Sequence, residues 1–300
     1  MPAEATGAAL ASARRADAAD CPLPGMVALV SGASRGFGRL LGVRLAEAGA
    51  AVGLMARSAD DLAAAAGEIT RAGGTAAATT TDVTDERAAA AAVAELRERL
   101  GTPDILINNA GISGPIGPVW QAPTAGWWRA VEVNLGGALV LTQLALEHMI
   151  PAGRGRIINI TSYAGVYRWP LLSAYAASKA ALVKLTESIA EETRPHGVSV
   201  FSVDPGLLPI GLGEAALSVS ADPRTPEGRV HHWIRGQFAA GHGADPEQAA
   251  RLIVALASGR ADRLSGRHLS VTDDLDALLA HIGQIERDDL HTLRLRIRQR

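Results

Sequence analysis

Six short runs that are apolar at consecutive rather than alternate positions recur along this 300-residue chain, with helix-length stretches between them. They are MVALVS at 26–31, AVGLMA at 51–56, DILINNA at 104–110, RIINITS at 156–162, VSVFSV at 198–203 and RHLSV at 267–271. A strand apolar on both sides needs cover on both sides, and the intervening helical patterns supply it. Helices are expected from about Phe37 to Gly49 and again from Ser58, where Ser58-x-x-Asp61 reads as a capping box with the shorter acid. Strand and helix trading places predicts an α/β protein with a doubly wound parallel sheet of about seven strands and helices on both faces. No solenoid period and no Pro-, Gly- or Ser-rich linker divides the chain, so one domain is expected over residues 25–272, after a mobile tail at 1–24 and before an extension at 273–300.

Composition excludes several function classes. At 48% hydrophobic residues the chain can bury a full core, and a formal net charge of −2 gives no electrostatic reason to bind nucleic acid or an anionic membrane. The single cysteine, Cys21, has no intrachain partner, which points to a reducing compartment and a cytoplasmic location. Arg14-Arg15 is followed by ADAADCPLPG rather than an apolar core, so no signal peptide is expected, and no stretch is expected to approach a membrane span. His231, His232 and His242 lack supporting cysteine or carboxylate ligands, and no metal is expected.

The turn after the first run, SGASRGFG, carries Gly32, Gly36 and Gly38 in the spacing G-x-x-x-G-x-G. Glycines there let the backbone approach a pyrophosphate at a helix N-terminus, although a tight turn alone also uses glycine. Further motifs follow in order: NNAG at 108–111, VNLGG at 133–137, Ser162 at the end of the run at 156–162, and YAASK at 175–179, thirteen residues after that serine. Over about residues 25–272 the sequence resembles the classical short-chain dehydrogenase/reductase family. The resemblance implies a Rossmann-type fold, a homodimer or homotetramer, and a dinucleotide held by Gly32, Ser34, Arg35, Gly36, Phe37, Gly38, Arg57, Asp82, Val83, Asn109, Ala110, Gly111, Tyr175, Lys179, Pro205 and Gly206.

Tyr175 and Lys179, at i and i+4 on one helix, project from the same face. A phenol with a pKa near ~10 needs roughly 4 kcal/mol of phenolate stabilisation to fall by about three units. An ammonium about 4 Å away supplies that order of energy at an effective dielectric of ~20. Tyr175 would then pass a proton to a carbonyl or take one from an alcohol, with Ser162 hydrogen-bonding the same oxygen. The resemblance makes Asn134 the residue that anchors a water beside the lysine, Asp82 the contact to the adenine amino group with Val83 beside the ring, and Asn109–Gly111 the flank of the ribose. Asp82 read alone is also a helix cap.

An acid about ~20 residues beyond the glycines would hold the ribose hydroxyls of NAD, but this chain has Ala56 and Arg57 there. Arg35 and Arg57, with Ser34 beside them, match the family's NADP pattern, so NADP(H) is the expected cofactor. The expected reaction interconverts a ketone and a secondary alcohol, the partner being a small-molecule carbonyl or alcohol substrate. A non-catalytic NADP-binding regulator and an epimerase or dehydratase remain as other readings of the same fold.

Tyr163, Tyr167 and Trp169 crowd the segment between Ser162 and Tyr175 and read as an apolar substrate wall, or as core packing. A bulky, ring-bearing or 3-ketoacyl substrate is expected under a lid at about 207–243. The chain departs from the family pattern at Ile210, where a threonine is common four residues after the glycine of DPG, and in VTDDLDALL, where a glycine pair is common. IERDDLHTLRLRIRQR at the end reads as a subunit contact, a solubilising end, or a surface for membrane or partner.

Overall fold

A computed structural model describes residues 22–295. Arg14-Arg15, Cys21 and most of the expected tail at 1–24 lie outside the described residues, as do residues 296–300. The chain begins with β1 (Val27–Ser31), α1 (Gly36–Glu47), β2 (Ala51–Ala56), α2 (Ala59–Arg71), β3 (Thr75–Thr80), α3 (Glu86–Leu100) and β4 (Ile105–Asn108). It continues through α4 (Thr124–Val131), a π-helical turn (Glu132–Gly136), α5 (Gly137–Ala152), β5 (Gly155–Ile160), α6 (Ser173–Thr193) and β6 (Val198–Asp204). The last elements are α7 (Leu212–Leu217), α8 (Pro226–Ala239), α9 (Pro246–Ala257), β7 (His268–Ser270), α10 (Leu275–Ala280) and α11 (Ile282–Arg287).

All seven strands are parallel, in the order β3-β2-β1-β4-β5-β6-β7. β1, β4 and β6 are buried along their whole length, which is why their sequences read as unbroken apolar runs. β3, TAAATT, gives no such run: it is an edge strand with a single fully buried residue, Ala77, so small and hydroxylated side chains suffice. One face of the sheet packs Leu41, Leu45, Ile253 and Leu256 against Val30 and Val203. The other packs Val93, Leu96, Leu141 and Met149 against Leu29, Leu106 and Ile157.

Two expectations need correction. Ser58 precedes α2 as expected, but its side chain makes no capping hydrogen bond; the capped neighbour is α3, where Asp85 accepts from the amides of Arg87 and Ala88. The helical stretch Thr124–Ala152, with a mean hydropathy of 1.2 over an 18-residue window, is long and apolar enough by length and composition to cross a membrane. Its Leu141, Ala145 and Met149 nevertheless pack against β4 and β5, so its apolar content serves the core. Past residue 272, Ile282 and Ile285 bury in the same core as Val203 and Leu269, and His268 donates its amide to the carbonyl of His291.

Strand order reverses between β1 and β4, and a parallel sheet opens a crevice at the carboxyl ends of its strands there. Asn109 braces that point: its side-chain amide donates to the carbonyls of Ser31 and Gly32, while Ser31 Oγ accepts from the amides of Asn109 and Ala110.

Candidate active site

The glycine turn fills the mouth of this crevice. A Cβ at Gly32, where φ is +64°, would lie 2.8 Å from Ala110 Cα, and one at Gly38 would lie 2.3 Å from the Gly32 carbonyl oxygen. Gly36, at φ +56°, would meet Gly211 Cα at 2.8 Å. Only hydrogen fits at these positions, and Arg35 precedes α1 without a side-chain cap on its amides. Such an uncapped helix start under a side-chain-free turn fits a diphosphate. Phe37 is buried beneath it, whereas Arg35 and Arg57 are exposed and have no acidic partner among the described residues.

β5 and α6 bring the expected catalytic residues together. Ser162 lies two residues past the end of β5, where its Oγ accepts from the amide of Ala164 and fixes the turn. Tyr175 stands in the first turn of α6, with Ser162 close enough to pull its proton affinity down. Lys179, one turn on, is buried with its Nζ donating to the Ile160 carbonyl at 2.7 Å and 5.7 Å from the centre of the Tyr175 ring.

Burial sets the proton affinities here. It pushes the Tyr175 phenol up to about 12 against the opposing pull of Ser162, and it brings Lys179 down to about 8. The expected lowering of the phenol by the ammonium is therefore not found in the protein alone: Nζ is turned to a carbonyl, and desolvation outweighs it.

Asn134 sits inside the π-helical turn, buried. Its Oδ1 accepts from the Ile112 amide at 2.8 Å, and its Nδ2 donates to the Ile112 carbonyl and to Ser178 Oγ, each at 2.9 Å. A Cβ on Gly111 would come 3.2 Å from Asn134 Oδ1 and 3.6 Å from Lys179 Nζ, so the backbone after NNAG runs between the two.

Asp82 does not cap α3. Its Oδ1 accepts from the amide and hydroxyl of Thr84, and its Oδ2 pairs with Arg129 at 2.7 Å. Val83 beside it is buried against Gly137, where a Cβ would come within 2.4 Å of the valine Cγ2. Pro205 is buried and Gly206, at φ +77°, donates its amide to Asp204. Ile210 packs into the core on the α1 side, which leaves no hydroxyl at that point.

Tyr163 and Tyr167 stack at 5.2 Å, Tyr163 meets Trp169 edge-on at 6.5 Å, and Trp169 meets Trp233 of α8 edge-on at 4.8 Å. Trp169 and Tyr175 share an apolar cluster with Leu172, Val230 and Ile234, so α8 lies over Tyr175. Among the described residues no cluster of metal-ligating side chains occurs. A separate cavity of about 250 Å³ at the amino ends of β1, β4 and β5 is lined by Met26, Asp104, Arg154 and Arg156, far along the strands from Ser31 and Ile160. Asp104 is already committed there to the Val27 amide and Arg154.

Residues 26–215 match the model of short chain dehydrogenase. The chain belongs to the short-chain dehydrogenase family. The cis-4-hydroxycyclohexanecarboxylate dehydrogenase of Sinomonas cyclohexanicum is 36% identical over 252 residues, covering 82% of this chain and 94% of that protein. Among solved structures, a single-site variant of actinorhodin polyketide ketoreductase with NADPH superposes with a TM-score of 0.76 at 30% identity, over 82% of this chain and 95% of that one. An NAD+-bound xylitol dehydrogenase superposes with a TM-score of 0.75 at 28% identity, over 83% and 98%. This short-chain dehydrogenase thus has the family's seven-stranded parallel sheet and an oxidoreductase's ancestry.

Sequence reasoning missed Arg129, Trp233 and His268. Arg129 meets Asp82 across 47 residues, and no local pattern joins them. Trp233 was visible only as an aromatic residue in a chain with few. His268 is half-buried with Nδ1 near the hydroxyls of Ser202 and Thr161, in a short strand that otherwise reads as plain sequence.

Proposed function

We propose that this protein is an NADP(H)-dependent oxidoreductase that interconverts a ketone and a secondary alcohol, with Tyr175 as general acid/base. The observation that carries the reading is the convergence of Ser162, Tyr175 and Lys179 at the carboxyl edge of β5, beside a turn shaped by three obligate glycines. The bound nicotinamide supplies or accepts hydride at the reacting carbon. Gly32, Gly36 and Gly38 would hold its diphosphate, Asp82 and Val83 its adenine, and Asn109 to Gly111 the ribose beside them.

At neutral pH the Tyr175 phenol, pushed up to about 12, is protonated and ready to donate to a carbonyl oxygen. Ser162 orients that oxygen by a hydrogen bond. Lys179, brought down to about 8, can give up and regain a proton near neutral pH and so replenish the phenol, with Asn134 fixing the Ile112 backbone beside it. In the alcohol-oxidising direction the same atoms move the proton outward.

Two features favour NADP(H) over NAD(H): Arg35 in the glycine turn and Arg57 after β2 are exposed and without acidic partners among the described residues, and no acid stands where a ribose diol would need one. The aromatic row Tyr163, Tyr167, Trp169 and Trp233 favours a bulky or ring-bearing substrate. The relative acting on cis-4-hydroxycyclohexanecarboxylate and the polyketide ketoreductase support that class. Residues 207–243, which include α8, would act as the lid.

The test is the loss of reduced-nicotinamide absorbance with NADPH and with NADH over small, cyclic and thioester-linked ketones, with Tyr175→Phe alongside. Turnover with NADPH that collapses in the variant is the expected result. Tight NADPH binding without turnover on any ketone would instead favour a non-catalytic NADP-binding regulator.

A further inference from the structure

The turn 82–84 is gripped from one side by a single stretch of helix. Arg129 of α4 reaches it with both terminal nitrogens: Nη2 binds Asp82 Oδ2 at 2.7 Å and Nη1 binds the Thr84 hydroxyl at 2.7 Å. That hydroxyl in turn donates to Asp82 Oδ1 at 2.8 Å, so arginine, threonine and aspartate close a ring of hydrogen bonds. Eight residues on, Gly137 of α5 lets Val83 sit directly on the helix. The aspartate is thereby locked in one rotamer, with Oδ1 saturated by Thr84 and one side of Oδ2 left to accept another donor.

The other charged group facing Arg129 is Glu132, at 3.4 Å on its own helix and exposed. It is too weakly placed to draw the guanidinium away from Asp82. A lone surface aspartate samples several rotamers, and a hydrogen bond to a base edge then has to offset that freedom as well as desolvation. A fork-shaped guanidinium spanning carboxylate and hydroxyl removes the freedom beforehand, which a lysine's single ammonium does not.

We propose that Arg129 is a positioning residue for purine recognition: it aims Asp82 so that the free lone pair of Oδ2 accepts from the exocyclic amine of adenine, and so makes the protein discriminate an aminopurine from a hydroxypurine dinucleotide. The inference rests on the reading of Asp82 as the adenine contact. It adds a residue that touches no part of the ligand.

The experiment measures equilibrium dissociation constants, by fluorescence titration without substrate, for NADPH and for its analogue with hypoxanthine in place of adenine. Hypoxanthine turns the donor at that edge into a carbonyl acceptor facing a carboxylate. The wild-type protein is expected to prefer NADPH by about tenfold or more. Arg129→Met is expected to bring the ratio to within about twofold while the Kd for the hypoxanthine analogue barely moves, and Arg129→Lys to recover little of it. Thr84→Val, which removes the bridging hydroxyl and leaves the ion pair, is expected to fall between, and it carries the test if Arg129→Met does not fold. A merely structural arginine would weaken both ligands alike, so an unchanged ratio in Arg129→Met and Thr84→Val overturns the proposal. Asp82→Ala separates the two readings. If it abolishes the preference while the Arg129 and Thr84 variants keep it, Asp82 reads adenine without the clamp. If the wild type shows no preference, the adenine reading of Asp82 fails and the proposal falls with it.

Discussion

The two sides of the crevice are built by different means. On the glycine side, backbone meets backbone: Gly32 lies against Ala110, Gly38 against the Gly32 carbonyl and Gly36 against Gly211, each too close for a methyl group. On the lid side, ring meets ring, from the Tyr163–Tyr167 stack to the edge-on pair of Trp169 and Trp233, and Tyr163, Tyr167 and Trp233 keep much of their surface exposed. A backbone contact admits one residue type, whereas a ring contact admits any side chain of similar shape. The first wall can therefore stay fixed while the second varies with the molecule to be held.

The contrast can be broken most forcefully at the point where the two sides meet. Tyr175→Phe is expected to lower kcat by about a hundredfold to ten-thousandfold while NADPH affinity holds, read by steady-state kinetics and titration. A next-largest effect belongs to Gly38→Ala, whose methyl group would be driven into the Gly32 carbonyl. It should destabilise the fold by about 1–3 kcal/mol in thermal melts and weaken NADPH binding by about a hundredfold, and retained affinity would mean that the turn is more pliant than its packing. Removing both exposed arginines, Arg35→Ala with Arg57→Ala, is expected to cut the preference for NADPH over NADH by roughly tenfold to hundredfold, with NADH turnover little altered.

A pH profile sharpens the comparison from within the site. Carbonyl reduction, followed as kcat/KM, should fall above about pH 8, where buried Lys179 loses its proton. Stability moves the opposite way: unfolded, the lysine titrates near 10.5, so between about 8 and 10.5 the unfolded chain binds a proton the folded chain has released. Unfolding free energy therefore gains a rising component across that window, which Lys179→Met should lack in denaturant titrations. The smallest effect is expected on the lid side, where Trp233→Ala should change the ranking of large over small ketones by less than about tenfold and leave the Kd for NADPH unchanged.

The same division decides what was legible in the sequence. Six of the seven strands announced themselves as apolar runs, β1, β4 and β6 because full burial leaves no polar alternation, and the motif glycines did because only hydrogen fits where they stand. β3 stayed hidden because an edge strand needs little apolar surface. The expectation that Ser162, Tyr175, Lys179 and Asn134 share one site came from spacing and resemblance, but the proton affinities of Tyr175 and Lys179 were not legible, because burial of the phenol and the turn of Lys179 toward Ile160 are tertiary facts. Arg129 and Trp233 were invisible as site residues since each finds its partner across a long stretch of chain.

The π-helical turn at Glu132–Gly136 joins α4 and α5 without interrupting the run from Thr124 to Ala152. One extra residue in a helix rotates everything after it by about 100° relative to everything before. That phase offset allows one rod to present three faces in sequence: Arg129 toward the turn 82–84, Asn134 toward Ile112 and Ser178, and Gly137 back toward Val83. Removing a single residue from 132–136 would restore an unbroken α-helical ladder while turning Gly137 and the apolar stripe of α5 away from their partners. The better-formed helix would make the worse protein.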